Sequence, residues 1–199
     1  MLIKSDNAKR FLISPAAALL VAGTVILGTT GLVFAADVHL KGGANSEPLF
    51  TDGGLTLNAA GELAGLGNGD VKIDMTAQAN VDARCVNPGS GGQEPPGQNP
   101  APITVTGTQI VPATEIKNGN LPFSVTTIPP QTPIPGAPDC PNPNWSEVIR
   151  NLAFTSATIL VFQPAVPPLL VLRVDCTLSP PTVDGAVPGA KVTCKSTSF

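Results

Sequence analysis

The residues with the clearest chemistry in this sequence are its four cysteines, Cys85, Cys140, Cys176 and Cys194. All four follow an N-terminal export signal, and an even number of cysteines in an exported chain indicates disulfide bonds. Zinc binding is the competing interpretation. Structural zinc sites are commonly built from CxxC pairs and histidines, whereas this chain has no CxxC pair and one histidine. We therefore expect two disulfides, no metal and no cofactor.

Four cysteines allow three pairings, and the sequence pattern favours one of them. Two strand-like stretches near the C-terminus carry Cys176 and Cys194 and are joined by a Pro/Gly-rich loop. A hairpin centred near Gly185 would place these two cysteines opposite each other. Cys85 and Cys140 each begin a Pro/Asn-rich loop, so one bridge between them would fasten both loops. We predict the pairs Cys176–Cys194 and Cys85–Cys140.

Catalytic arrangements find little support in the residue types, and we expect no catalytic residue. His39 is the only histidine, and Ser-His-Asp or Cys-His catalysis needs one to transfer the proton. Asp74 and Asp82 share a strand face but lie about 26 Å apart at about 3.3 Å per residue, too far for a glycosidase pair. A carboxylate from another strand, such as Asp175 or Glu147, keeps a secreted hydrolase as the alternative hypothesis.

Trp145 is the only tryptophan of a chain that has no tyrosine, and it lies five residues after Cys140. We expect it to pack against the bridge formed by Cys140, with exposure as a ligand platform as the alternative. Residues 36–199 carry 13 acidic and 8 basic side chains, a net charge of −5. Because they lack a basic cluster and, with one tryptophan and no tyrosine, offer little for base stacking, we expect no nucleic-acid binding.

The element that best positions these residues is a long strand. From Val71 to Cys85 every odd-numbered residue is apolar and every even-numbered residue is polar, which is the period of a strand with one buried and one solvated face. Strand-like patterns recur between turn-rich segments, at 37–41, 55–63, 103–111, 121–125, 147–162, 166–178 and 190–197. The sequence therefore predicts a β-sandwich, immunoglobulin-like or Greek-key, of about seven or eight strands with long Pro/Gly-rich loops.

Two finer predictions concern the neighbours of the long strand. Asn68-Gly69 lies between two strand-like stretches and predicts a tight hairpin with a type I′ turn. One parity of the stretch 147–162 is rich in large apolar residues, which a regular strand would place on one face: Leu152, Phe154, Leu160 and Phe162.

The N-terminus has the layout of a secretory signal peptide. Residues 1–10 include three basic side chains, and residues 11–36 carry no charge. Small residues precede Ala36, so we predict a signal peptide at 1–35 that is cleaved after Ala35. The apolar run exceeds the usual length of roughly 7–15 residues, so an uncleaved membrane anchor is the alternative. In both cases residues 36–199 form one secreted domain outside the cytoplasm.

Several segments resemble those of an uncharacterised family of small secreted prokaryotic β-rich proteins. The resemblance covers most of residues 36–199 and rests on GLGNGDV (65–71), CVNPG (85–89), PPGQNP (95–100), NGN (118–120), CPNPNW (140–145) and FTSATI (154–159). It implies an extracellular location and supports pairing of the two cysteine-containing loops. It implies no activity, ligand or catalytic residue.

These observations favour a non-catalytic protein of the extracellular space or cell surface, with a binding or structural role. Loops on a rigid sandwich usually carry recognition, so we expect the long loops 87–102 and 128–144 to contact an unknown component of the cell envelope or of the extracellular space. We expect membrane contact only through an uncleaved N-terminal anchor.

Overall fold

The alternating residues of the long strand divide core from solvent along most of the domain. A computed structural model of the protein describes residues 37–43, 46–89, 100–136 and 138–199. In it, the alternating segment forms strand β4 (Val71–Val86). Each odd-numbered residue from Val71 to Cys85 is at most 4% exposed. The predicted buried face is confirmed, and it lines the core between two sheets.

Within the described residues, ten strands form two antiparallel sheets. The first sheet contains β1 (His39–Leu40), β2 (Leu49–Asp52), β3 (Leu57–Ala64), β6 (Leu121–Thr126) and β9 (Gly185–Ala186). The second contains β4, β5 (Ile103–Val111), β7 (Ser146–Phe162), β8 (Leu170–Leu178) and β10 (Val192–Ser198). Eight of these strands have four or more residues, so the predicted all-β sandwich is confirmed.

The strand order of the two sheets contains a Greek-key arrangement, which immunoglobulin-like sandwiches also have. The second sheet has the order β10-β8-β7-β4-β5, whereas in the first sheet β3 pairs with β1, β2 and β6, and β9 pairs with β2. Where β6 ends, the Ile128 N–H donates to the Thr106 carbonyl of β5 at 2.8 Å. The strands β7, β4, β5 and β6 therefore follow one another in space, which is the Greek-key order.

The predicted hairpin at Asn68-Gly69 is wrong. β3 and β4 belong to different sheets, so residues 65–70 cross between the sheets instead of joining paired strands. The buried side chain of Gln163 holds this crossing: its Oε1 accepts the Gly67 N–H at 2.7 Å, and its Nε2 donates to the carbonyls of Gly67 and Gly69 at 3.2 and 2.6 Å. Because Gln163 is more than ninety positions away in the chain, no local pattern indicated this arrangement.

The expected common face of large residues in β7 is also wrong. Leu152 and Phe154 are buried, whereas Leu160 and Phe162 are half-exposed on the outer face of the second sheet. Gln78 of β4 pairs with Ser156, but the next residue of β4 pairs with Phe154, which leaves one residue of β7 unpaired. Such a β-bulge reverses the faces of the residues beyond it, and a second register shift, between Asp82 and Ala83 of β4, reverses them again toward Glu147.

The described strands, both disulfides and the core cluster lie between Val38 and Phe199, within the compact unit Leu32–Phe199. No helix among the described residues is long and apolar enough to cross a membrane. Residues 36–199 therefore contain every described strand, both disulfides and the core cluster.

Candidate functional site

The sandwich has two ends, whose loops differ in how they are held. The bridged end, named for the disulfide beside it, carries the described residues of the segments 53–56, 87–102, 127–145 and 179–191. The opposite end, which we call the apolar end, carries the segments 65–70, 112–120 and 163–169.

Both predicted disulfides are confirmed. Cys85 at the end of β4 is bonded to Cys140 in the loop 127–145, with 5.7 Å between the Cα atoms. Cys176 and Cys194 are direct partners in the β8–β10 register and are bonded, with 4.1 Å between the Cα atoms. The Cys85–Cys140 bridge fastens the loop 127–145 to the longest strand of the core.

Glu147 lies beside this bridge, opposite Cys85 in the β4–β7 register, and is completely buried. Its Oε2 accepts the Asp139 N–H at 3.3 Å, and its main-chain carbonyl accepts the Ile134 N–H at 2.7 Å. Its Oε1 has no hydrogen-bond partner among the described residues. Glu147 therefore holds the loop from inside, and solvent does not reach its carboxylate.

The rest of the loop 127–145 is fastened at its first turn and presents polar residues outward. Thr127 exchanges two hydrogen bonds with the backbone of Leu57, both 2.9 Å long. Thr132 Oγ1 accepts the Ile149 N–H at 3.0 Å. Residues 141–144, with the sequence Pro-Asn-Pro-Asn, are exposed. The loop is thus an ordered platform at the end of the sandwich.

Trp145 lies at the base of this platform. Its side chain is half-buried, and its main-chain N–H donates to the Asn142 carbonyl at 3.0 Å. The Asn142 Oδ1 accepts the Asn144 N–H at 2.9 Å, which turns the chain just before the tryptophan. The position of Trp145 next to an exposed turn suits contact with a ligand. Its packing against the Cys85–Cys140 bridge stays a prediction.

A second buried carboxylate at the bridged end was missed by the sequence analysis. Asp52 is 2% exposed; its Oδ1 accepts the Gly54 N–H at 2.9 Å, and its Oδ2 accepts the Thr182 hydroxyl. Burial raises the pKa of Asp52, the hydrogen bonds from Thr182 and Gly54 oppose this, and the nearby Asp184 adds to it. Because Asp52 and Thr182 are 130 residues apart, no sequence spacing pointed to the pair.

The carboxylates of the hydrolase hypothesis are not brought together. Asp74 and Asp175 lie on β4 and β8, with β7 between them. Arg173 lowers the pKa of Asp175 through hydrogen bonds and charge. Each exposed carboxylate forms an ion pair with a cation on its own strand: Asp74 with Lys72 at 2.7 Å, Asp82 with Arg84 at 3.5 Å and Asp175 with Arg173 at 2.7 Å.

The three segments of the apolar end are joined by hydrogen bonds to the main chain. The Leu66 N–H donates to the Gly119 carbonyl at 3.0 Å. The Asp70 carboxylate accepts the Ala113 N–H at 2.8 Å, and its carbonyl accepts the Ala165 N–H at 2.9 Å. A groove of about 400 Å³ lies beside these contacts and is lined by Asp70, Lys72, Ile110, Pro164, Ala165, Val166 and Pro168.

Residues 90–99, the centre of the predicted recognition loop 87–102, lie outside the described residues. Across the described ranges, no group of three or more His, Cys, Asp or Glu side chains could hold a metal ion. His39 belongs to β1, and its Nδ1 lies 2.7 Å from the Asp37 carbonyl oxygen. Comparisons with models of protein families, with curated proteins and with solved structures found no match.

Proposed function

We propose that this chain is a secreted, non-catalytic protein of the extracellular space or cell surface. It binds a component of the cell envelope through the loop 127–145 at the bridged end. Its two disulfides are consistent with the oxidising environment outside the cell.

The observation that carries this proposal is the fastening of the loop 127–145. The loop exceeds the length of about 12–15 residues above which a connection without regular structure is usually functional or disordered. Here the Cys85–Cys140 bridge, the buried Glu147 and the Thr132 hydroxyl fasten it to β4 and β7. A loop ordered before binding loses little conformational entropy when a partner binds, which favours affinity.

The exposed surface of this loop fits recognition without catalysis. The turn 141–144 presents two prolines and two asparagines, and Trp145 follows with a half-buried ring. Amide groups supply hydrogen-bond donors and acceptors, and the ring supplies a flat apolar surface. The engagement of each exposed carboxylate of the hydrolase hypothesis in an ion pair on its own strand also supports the non-catalytic function.

The test is co-sedimentation of the purified domain 36–199 with the isolated cell envelope. We expect saturable binding that becomes about tenfold weaker in Asn144→Ala and Trp145→Ala. The control Thr106→Ala changes an exposed residue of β5 and is expected to bind within about twofold of the parent. Near-UV circular dichroism and the melting temperature establish that each variant is folded.

Two results would overturn the proposal. One is the absence of binding by the folded parent domain, or equal binding by the parent and both loop variants. The other is turnover of a polysaccharide or ester substrate that a single Asp→Asn or Glu→Gln change abolishes while the fold is retained.

A further inference from the structure

Four large apolar side chains are exposed at the apolar end, and we call them the apolar rim. Val166 is 85% exposed, Ile110 66%, Phe199 64% and Leu169 48%. Single exposed apolar residues are normal on a protein surface, whereas contiguous ones mark a contact with another molecule or with a membrane.

The residues of the apolar rim form a row across this end of the second sheet, from Ile110 on the edge strand β5 to Phe199 after the other edge strand, β10. Ile110 and Val166 line the same groove. Leu169 closes the same turn, since its carbonyl accepts the Gln163 N–H at 2.9 Å. The Phe199 N–H donates to the Val171 carbonyl at 3.1 Å, which places the C-terminal residue beside the start of β8, two residues after Leu169.

The chain enters the described fold at this same end. Val38 follows the first described residue, Asp37, and its carbonyl accepts the Ser198 hydroxyl at 2.6 Å, so the entry point lies beside Phe199. Residues 11–36, which precede Asp37 directly, carry no charge. If this uncharged run is retained and held in a bilayer, the entry point of the domain lies near the surface of that bilayer.

The charges around the apolar rim do not favour an acidic or a basic partner. The Lys72 ammonium lies 5.3 Å from the centre of the Phe162 ring and pairs with Asp74. The Asp70 carboxylate in the groove is engaged by the Ala113 N–H. With one lysine and one aspartate lining the groove, attraction to the rim depends on its apolar side chains.

We propose that the apolar rim docks on the surface of a lipid bilayer, with Val166 and Leu169 entering the boundary between headgroups and acyl chains. Amphipathic surfaces bind this boundary by burying apolar side chains. Docking would direct the loop 127–145, at the opposite end of the sandwich, away from the membrane. This membrane contact is additional to an N-terminal anchor and goes beyond the proposed function.

The experiment measures binding of the folded domain 36–199 to phosphatidylcholine vesicles by flotation. We expect binding that is equal on vesicles containing an anionic lipid and unchanged by 0.5 M salt, since the attraction is apolar. Val166→Asp/Leu169→Asp is expected to weaken it by more than about tenfold, because a charged carboxylate replaces each of the two apolar side chains that enter the bilayer.

The matched control is Ile128→Asp/Val183→Asp, which adds the same charge at two side chains that are 70% and 71% exposed near the bridged end. It is expected to bind vesicles like the parent. Asn144→Ala should also bind like the parent, which separates vesicle binding from the envelope binding of the loop 127–145.

Three outcomes would overturn the inference: no vesicle binding by the folded parent, equal loss in both double variants, or binding that requires anionic lipid and disappears in salt. Self-association of the domain that is lost in Val166→Asp/Leu169→Asp, without vesicle binding, would assign the apolar rim to a second copy of this chain instead.

Discussion

The two ends of the sandwich are stabilised by different means. The bridged end combines the Cys85–Cys140 disulfide with the buried carboxylates of Glu147 and Asp52, and its turn 141–144 presents prolines and asparagines to solvent. The apolar end has no disulfide among its described residues. It depends on the amide of Gln163 and on hydrogen bonds between its three segments, and it presents the apolar rim.

Loop length explains this difference. The entropic cost of ordering a loop increases with its length, and the loop 127–145 is far longer than the segments 65–70 and 163–169. A covalent bond reduces that cost for the long loop. In the short segments, one amide that bonds two residues of the neighbouring loop is sufficient, and this leaves large apolar side chains free to face outward.

The largest expected effect is the loss of a disulfide. Cys85→Ser/Cys140→Ser should lower the free energy of unfolding by about 4 kcal/mol, and Cys176→Ser/Cys194→Ser by about 3 kcal/mol. The first bridge joins residues separated by 55 positions and the second by 18, and the chain entropy that a bridge removes from the unfolded state increases with that separation. Urea unfolding of both variants measures which loses more unfolding free energy. A larger loss for Cys176→Ser/Cys194→Ser would contradict this account.

An intermediate effect is expected at the apolar end. Gln163→Ala should lower the free energy of unfolding by about 2 kcal/mol, because it leaves three partly buried main-chain groups of Gly67 and Gly69 without their partner. Gln163→Glu keeps the acceptor for the Gly67 N–H but loses both donors, so it should not restore stability.

The control for this change is Gln109→Ala, in which the lost side chain accepts one exposed N–H from Ser124 at 3.2 Å. We expect a loss of about 0.5 kcal/mol there, at the low end for a single hydrogen bond. Hydrogen exchange should also show that Gln163→Ala releases the amides of segment 65–70 and not those of the loop 127–145. Equal losses in Gln163→Ala and Gln109→Ala would argue against a central role for Gln163.

The smallest expected effect is a pH dependence at the bridged end. Because burial raises the pKa of Asp52 in the folded state, the stability linked to its proton is present below the unfolded-state pKa of about 3.9 and is lost as the pH rises through the folded-state pKa. In the parent protein this carboxyl should lower the free energy of unfolding as the pH rises, and Asp52→Asn should remove that decrease. Urea unfolding between pH 3 and pH 7 measures this slope.

Asp175 serves as a control, because its pKa is shifted in the opposite direction to that of Asp52. Arg173 lowers its pKa, so the stability from this pair is present above the unfolded-state pKa and is lost as the pH falls through the folded-state pKa. The pair is about half exposed, so Asp175→Asn should have a small effect. If the free energy of unfolding of Asp52→Asn depended on pH as steeply as that of the parent protein, the Asp52 carboxylate would not be the source of the pH dependence.

Much of the fold could be predicted from the sequence, because several strands keep an uninterrupted alternation of apolar and polar residues. The alternation from Val71 to Cys85 matched the burial of β4 residue by residue, and β5 has the predicted bounds. The hairpin near Gly185 correctly placed Cys176 opposite Cys194. The local signal of Asn-Gly was ambiguous: Asn118-Gly119 forms a turn with φ of 52° and 75°, as type I′ requires, whereas Asn68-Gly69 lies in a crossing between sheets.

The sequence by itself determined the all-β class, the buried face of β4 and the two disulfides, because each rests on a period of two residues or on the positions of cysteines. The tertiary structure decided which strands are neighbours, the bulge in β7, the contacts of Gln163 and the pairing of Asp52 with Thr182. It also decided that Ile110, Val166, Leu169 and Phe199 meet at one end. An alternating pattern specifies which face of a strand is buried but not its partner, and these contacts join residues that only the folded chain brings together.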